Sequence, residues 1–153
     1  MSSAPGTSPL HRLGAAAFAT LLGACSTTGT YTAPAPDAPA ALVVGEDPSF
    51  LAGLDPLSTT SKTWFTKVDD DTLPRSAWSG YPNEVRVPAG QHAVTVGGSV
   101  RQRGRAIAVG ETVFNLVFEA GRTYHVSTGL SPDAPGEVVI QMETSDTATG
   151  EGR

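Results

Sequence analysis

The chain has 153 residues, with 10 Lys and Arg against 15 Asp and Glu, a formal net charge of -5 and only 16% charged residues. That length supports one ordinary core, and an acidic balance without a basic tail argues against nucleic-acid binding. Seventeen glycines and twelve prolines, with no long charged helical stretches, favour turn-rich all-β structure, while a single cysteine excludes an internal disulfide and a cysteine-based zinc site.

Met1 to Arg12 is polar and carries one strong cation, Arg12. An apolar run of ten residues follows, from Leu13 to Leu22. It is too short to span a bilayer stably but fits the hydrophobic region of an export signal. Small residues come next, then the sole thiol. The tetrad Leu22-Gly23-Ala24-Cys25 resembles the lipobox of bacterial lipoproteins. The resemblance implies that Cys25 receives a diacylglyceryl group and that cleavage occurs on its N-terminal side. Residues 1–24 are then a signal peptide, and loss of Arg12 leaves a mature chain of 129 residues with a net charge of -6.

The chemistry accounts for the residue types: small side chains admit the peptide bond to the peptidase, and only a thiol accepts the lipid as a thioether. Two or three acyl chains, at about 0.8 kcal/mol per buried methylene, make such an anchor effectively permanent. Ser26 follows the cysteine where Asp would signal retention, so the resemblance implies the periplasmic face of the outer membrane. A short buried helix with an ordinary cysteine is the alternative, and the polar low-complexity stretch that follows disfavours it.

Residues 25–41 are rich in Thr, Ala and Pro and read as a lipidated N-terminus with a flexible tether. Strands are expected at Leu42-Val43-Val44, Trp64 to Val68, Glu84 to Val87 and Gln91 to Val96, with His92, Val94 and Val96 on one face. Asp69-Asp70-Asp71 closes the second of these, Pro88-Ala89-Gly90 turns the third into the fourth, and Gly97-Gly98 permits a bulge. Further strands are expected at Arg105 to Val109, Glu111 to Phe118, Arg122 to Thr128 and Glu137 to Met142. The stretch 48–63 has room for a helical turn, but Gly53 and Pro56 argue against a long helix. The expectation is a single antiparallel β-sandwich of about seven short strands over residues 42–145, with a disordered tail at 146–153.

The run Val85-Arg86-Val87-Pro88-Ala89-Gly90-Gln91-His92-Ala93-Val94-Thr95-Val96 resembles the strand, Pro-x-Gly, x-His-x-Val-x-Val hairpin of PEGA-like modules. These are small β-sandwich domains of bacterial envelope lipoproteins. Phe118-Glu119-Ala120-Gly121-Arg122-Thr123-Tyr124 resembles their later hairpin, and Lys67-Val68-Asp69-Asp70 stands where they often have a Val-Asp-Gly turn. Both motifs specify hairpins, so the resemblance implies a fold and not an activity.

Chemistry-bearing patterns are sparse. There is no Gly-x-Ser-x-Gly elbow, no His-Glu-x-x-His and no phosphate-cradling glycine loop. His92 and His125 follow hairpin turns in strands that could be neighbours, but no carboxylate stands at a matching metal-ligand spacing. Asp69-Asp70-Asp71 lacks the Gly and distal Glu of a calcium loop and reads as an exposed acidic turn. Glu84, Glu111, Glu119 and Glu137 show no spacing that pairs two of them for glycan hydrolysis.

Arg101, Arg103 and Arg105 stand at period two. In an extended chain they would form a cationic stripe for contact with anionic headgroups, envelope polymer or an acidic partner. A solvated hairpin tip around Gly104 is the plainer reading. Trp78 is a candidate for stacking on a ligand. No cofactor and no metal is expected. The residues together point to a non-enzymatic, membrane-anchored envelope lipoprotein acting as a binding or scaffolding module. The competing readings are an accessory or hydrolytic protein of cell-wall glycan, and a small lipid or metal carrier.

Overall fold

A computed structural model of the chain describes residues 26–27, 29–48 and 58–145. The segment expected to be an export signal (1–24), with the lipobox-like Leu22-Gly23-Ala24, and Cys25, the tail 146–153 and most of the stretch weighed for a helical turn lie outside the described residues. Among those residues the structure is all-β. Its strands are β1 (Ser26–Thr27), β2 (Ala40–Gly45), β3 (Thr59–Val68), β4 (Asp71–Thr72), β5 (Arg75–Ser76), β6 (Glu84–Pro88), β7 (Gly90–Gln102), β8 (Arg105–Phe118), β9 (Thr123–Leu130) and β10 (Val138–Ser145).

Two four-stranded sheets, ordered β10-β9-β2-β6 and β4-β3-β7-β8, face each other across a shared core, and β1 pairs with β5 in a small ribbon. The inward positions alternate as a half-buried strand requires. Ala41 and Val43 of β2, Val85 and Val87 of β6, and Tyr124 and Val126 of β9 meet Phe65, Val68, Val94, Val96 and Phe118 of the other sheet. Burying each of the larger side chains contributes about 1.5–3 kcal/mol. Phe118 and Tyr124 meet edge to face at 5.0 Å, and the Tyr124 hydroxyl accepts from the Glu119 N–H at 3.0 Å.

Three expectations are corrected. The sandwich is not wholly antiparallel: β2 runs parallel to β9, from Leu42 opposite Thr123 to Gly45 opposite Val126. Parallel neighbours cannot be joined by a hairpin, and here the entire second sheet intervenes between them in the chain. The count of about seven short strands also fails, because two-residue pairings add β1, β4 and β5, and because β7 and β8 run to 13 and 14 residues. Finally, the chain does not bulge at Gly97-Gly98. The irregularities fall between Phe65 and Lys67 and between Val100 and Arg101.

The two glycines carry β7 straight through because each receives a neighbour. A Cβ at Gly97 would stand 2.3 Å from Trp64 Nε1 on the outer face, and one at Gly98 would stand 2.6 Å from Thr128 Oγ1 between the sheets. Beside Gly98 the hydroxyls of Thr63 and Thr128 share a buried hydrogen bond of 2.8 Å. Glu46 closes the same end of the sandwich. Its carboxylate accepts from Ser61 Oγ at 2.7 Å and from the Thr128 N–H at 3.1 Å.

The described part of the stretch read as a free tether lies against the domain. The Tyr31 N–H donates to the Thr72 carbonyl at 3.0 Å, its ring packs on the core, and its hydroxyl donates to the Arg86 carbonyl. Arg86 Nη2 donates to the carbonyls of Pro36 at 3.2 Å and Ala38 at 3.4 Å. The Ala89 N–H donates to the Pro39 carbonyl at 3.1 Å. Proline suits this run because it presents carbonyls to the domain and has no N–H to satisfy.

Candidate binding cleft

The outer face of β3 presents Lys62 and Trp64 at period two, the positions that point away from the core. The Trp64 indole lies flat across Gly97 because glycine alone leaves room there. Pro74 then leads into β5, whose Ser76 exchanges backbone hydrogen bonds with Gly80 at 2.9 and 3.0 Å. Inside that closed turn, Ser76 Oγ accepts from the N–H groups of Trp78 at 3.2 Å and Ser79 at 3.4 Å. The turn is thus held by four hydrogen bonds and returns the chain as Tyr81 beside Arg75, whose guanidinium carbon stands 5.6 Å over the Tyr81 ring.

These elements border an open, shallow cleft of about 320 Å³ lined by Lys62, Trp64, Arg75, Ser79, Gly80 and Tyr81. Two cations and two aromatic rings line it, and none of the six lining residues is acidic. Such a set favours an anionic group carried on a flat or apolar body: ammonium and guanidinium meet the charge, and the rings take the remainder. Trp78, at the tip of the turn, is 98% exposed.

The residues singled out in the sequence are distributed differently. Arg101, Arg103 and Arg105 are all exposed, but not as an extended row. Gln102 pairs with Arg105, and Arg103 and Gly104 both have positive φ, 52° and 73°, so the chain reverses there in a two-residue turn. Of the two readings weighed for these arginines, the geometry matches the plainer one, a hairpin tip around Gly104, and not an extended stripe. His92 and His125 sit in different sheets. His92 Nδ1 pairs with Asp69 Oδ2 at 2.7 Å, while His125 of β9 is exposed opposite Glu143.

Asp69, at φ 53°, also accepts the Ala93 N–H at 2.9 Å. That bond and the His92 contact hold its carboxyl below the usual carboxylate range. Burial, together with the charges of Asp69 and Asp71, pushes the Tyr31 phenol upward. Among the described residues no three His, Cys, Asp or Glu side chains group as metal ligands.

The four glutamates weighed for glycan hydrolysis stand on separate elements: Glu84 on β6, Glu111 on β8, Glu119 after β8 and Glu137 before β10. Glu111 accepts from Thr66 Oγ1 at 3.4 Å, and Glu119 pairs with Arg122 Nε at 2.6 Å. A second exposed surface is the outer face of β8, an edge strand that shows Val109, Val113 and Val117 to solvent.

Sequence reading did not assemble Lys62, Arg75 and Tyr81. The available signal was the Lys62–Trp64 alternation together with an unexplained glycine pair, but the register that sets Trp64 opposite Gly97 is a tertiary fact. Comparison with protein-family models, with curated proteins and with solved structures finds no match.

Proposed function

We propose that the chain is a lipid-anchored, non-enzymatic binding module of the bacterial cell envelope. The anchor is Cys25, and the cleft of Lys62, Trp64, Arg75 and Tyr81 is the surface that engages a ligand. The cleft carries the binding half of this reading: it gathers charge and aromatic area between the outer face of β3 and a hydrogen-bonded turn, with no acidic lining residue. The tetrad Leu22-Gly23-Ala24-Cys25 supports the anchor, as do Ser26 for an outer-membrane address and the PEGA-like hairpin motifs for a module of envelope lipoproteins.

Metabolic labelling with a palmitate analogue tests the anchor. Wild type should label and fractionate with outer membranes, Cys25→Ser should do neither, and blocking the lipoprotein signal peptidase should leave a heavier precursor. Equal labelling of both forms, or of neither, overturns the assignment.

A further inference from the structure

In the small ribbon formed by β1 and β5, Ser26 is opposite Ser76 and Thr27 is opposite Arg75, in antiparallel register. Cys25 is the next residue back in the chain, and consecutive Cα atoms are about 3.8 Å apart. In an antiparallel pair, the step from Ser26 toward the N-terminus runs in the same direction as the step from Ser76 toward Trp78. Ser26, the residue that follows the expected lipid-bearing cysteine, is thus paired at the base of the turn that carries Trp78.

Little slack separates the two. Gly29 already presses on the backbone of Leu73 and Pro74, where a Cβ would stand 2.4 Å from the Pro74 nitrogen. From Tyr31 onward the segment is bonded to the domain. Membrane and turn must then lie close together, since the chain between them has no length to hold them apart.

The turn has the chemistry of a membrane interface. A tryptophan that is 98% exposed on a turn closed by four hydrogen bonds leaves a large apolar ring in water. Indole favours the headgroup level of a bilayer, where its apolar body and its N–H are both accommodated. Beside it stand Arg75 and Lys62, with Tyr81 under the guanidinium. Cations next to an interfacial aromatic are attracted by anionic headgroups, whereas the chain as a whole, at -5, is not.

Resting on the lipid-anchored reading of Cys25, we infer that the turn Ser76 to Gly80 seats Trp78 in the interface of the membrane that holds the lipid. The Lys62–Arg75–Tyr81 cleft then receives the phosphate of an anionic phospholipid, and the domain lies flush on the bilayer in one orientation.

The test uses the lipidated chain, purified from membranes and reconstituted in vesicles of phosphatidylethanolamine and phosphatidylglycerol with brominated acyl chains. Subtracting the emission of Trp78→Phe from that of wild type isolates Trp78, which is exposed enough that its replacement leaves the core intact. The Trp78 share should be blue-shifted and quenched by the bromolipids, and Lys62→Gln with Arg75→Gln should weaken the quenching.

A second arm measures partitioning of the full chain carrying Cys25→Ser onto the same vesicles. Adding Trp78→Ser should lower it on the order of tenfold, the equivalent of losing one buried aromatic side chain. Trp78 emission unquenched by bromolipid in a chain that labels with palmitate overturns the inference and leaves the anchor standing. Failure to label overturns the anchor itself, while the second arm still reports on the turn. Equal quenching in phosphatidylcholine vesicles, whose lipid carries the same phosphate without net charge, overturns the preference of the cleft for an anionic phospholipid. Trp78 shielded from acrylamide but not quenched by bromolipid assigns the turn to contact with a second copy of the chain and overturns the membrane contact.

Discussion

Replacing Gly98 by alanine asks whether the two sheets sit at the separation that only a missing side chain allows. The new Cβ would meet Thr128 Oγ1 at 2.6 Å, Thr128 Cγ2 at 2.7 Å and Ile140 Cδ1 at 3.2 Å. Thr128 is stiff at χ1, and its hydroxyl is committed to Thr63 in the buried layer. Relief must come from turning Thr128 out of that bond or from spreading the sheets.

Overpacking of this kind costs about 1–3 kcal/mol, and loss of the hydroxyl pair adds about 1 kcal/mol. Reduced freedom of the unfolded chain offsets about 0.5–1 kcal/mol. The net destabilisation is roughly 2 kcal/mol, a sizeable part of the 5–15 kcal/mol that holds a domain together. In urea the midpoint should fall by about 1 M, given slopes of about 1–3 kcal/mol per molar.

Gly97→Ala is the control, because its Cβ meets the Trp64 indole on the solvent side, where the ring can swing away. Its midpoint should move less than half as far, while the Trp64 emission shifts to the red. Adding Thr128→Ala to Gly98→Ala removes both of the closest clashing atoms, so the double variant should be more stable than the sum of its parts. An unchanged midpoint for Gly98→Ala, or strict additivity in the pair, refutes the reasoning.

Three further outcomes are expected. The Tyr31 phenol has a folded pKa above its ordinary 10.0, so its contribution is complete below that value and is lost as pH rises through the folded pKa. Stability should fall on the alkaline side, one tyrosine should titrate late at 295 nm, and Tyr31→Phe should remove that late phase. Asp69 is depressed below its ordinary 3.8, chiefly by the Ala93 N–H and then by His92, so its contribution is present above that value and lost as pH falls through the folded pKa. Urea midpoints measured from pH 5 to pH 2 should decline less steeply in Asp69→Asn than in wild type, and parallel curves would contradict the assignment. Arg103 occupies a positive-φ turn position suited to asparagine. Arg103→Asn should therefore raise Tm, in line with a gain of about 0.5 kcal/mol, and a lower Tm would show that the arginine side chain holds the tip.

Hairpins were the most legible part of the fold. Val85-Arg86-Val87-Pro88-Ala89-Gly90 placed the β6–β7 turn, and Phe114, Leu116 and Phe118 marked β8, because alternation and turn chemistry are local. Non-local geometry was not legible. The parallel register of β2 on β9 joins residues about eighty positions apart, and no periodicity in either strand encodes a distant partner's direction. The extension of β7 past Gly97-Gly98 was hidden for a related reason: the groups that fill those positions, Trp64 and Thr128, come from two other strands.

The Thr-, Ala- and Pro-rich composition of 29–39 suggested a free chain, yet the contacts that pin it belong to Arg86, Thr72 and Ala89. Near the candidate cleft, Trp78 stood out as an aromatic, and Trp64 only as the start of a strand. Their grouping with Lys62 and Arg75 depends on the closed turn at Ser76 to Gly80, which a reading of composition does not reveal.

The position of β2 bears on how the molecule can be made. It is the first long strand to be delivered from the N-terminus, yet its two neighbours, β6 and β9, are synthesised later, β9 near the end of the chain. The β7–β8 hairpin forms between successive segments, and β3 and β6 precede it, but one edge of β2 stays unpaired until Thr123 to Val126 arrive. Long-range pairing of this kind slows folding and lengthens exposure to aggregation. A nascent copy released before β9 emerges would thus carry one complete sheet and one open slot, a form that chaperones and proteases can distinguish from the finished protein.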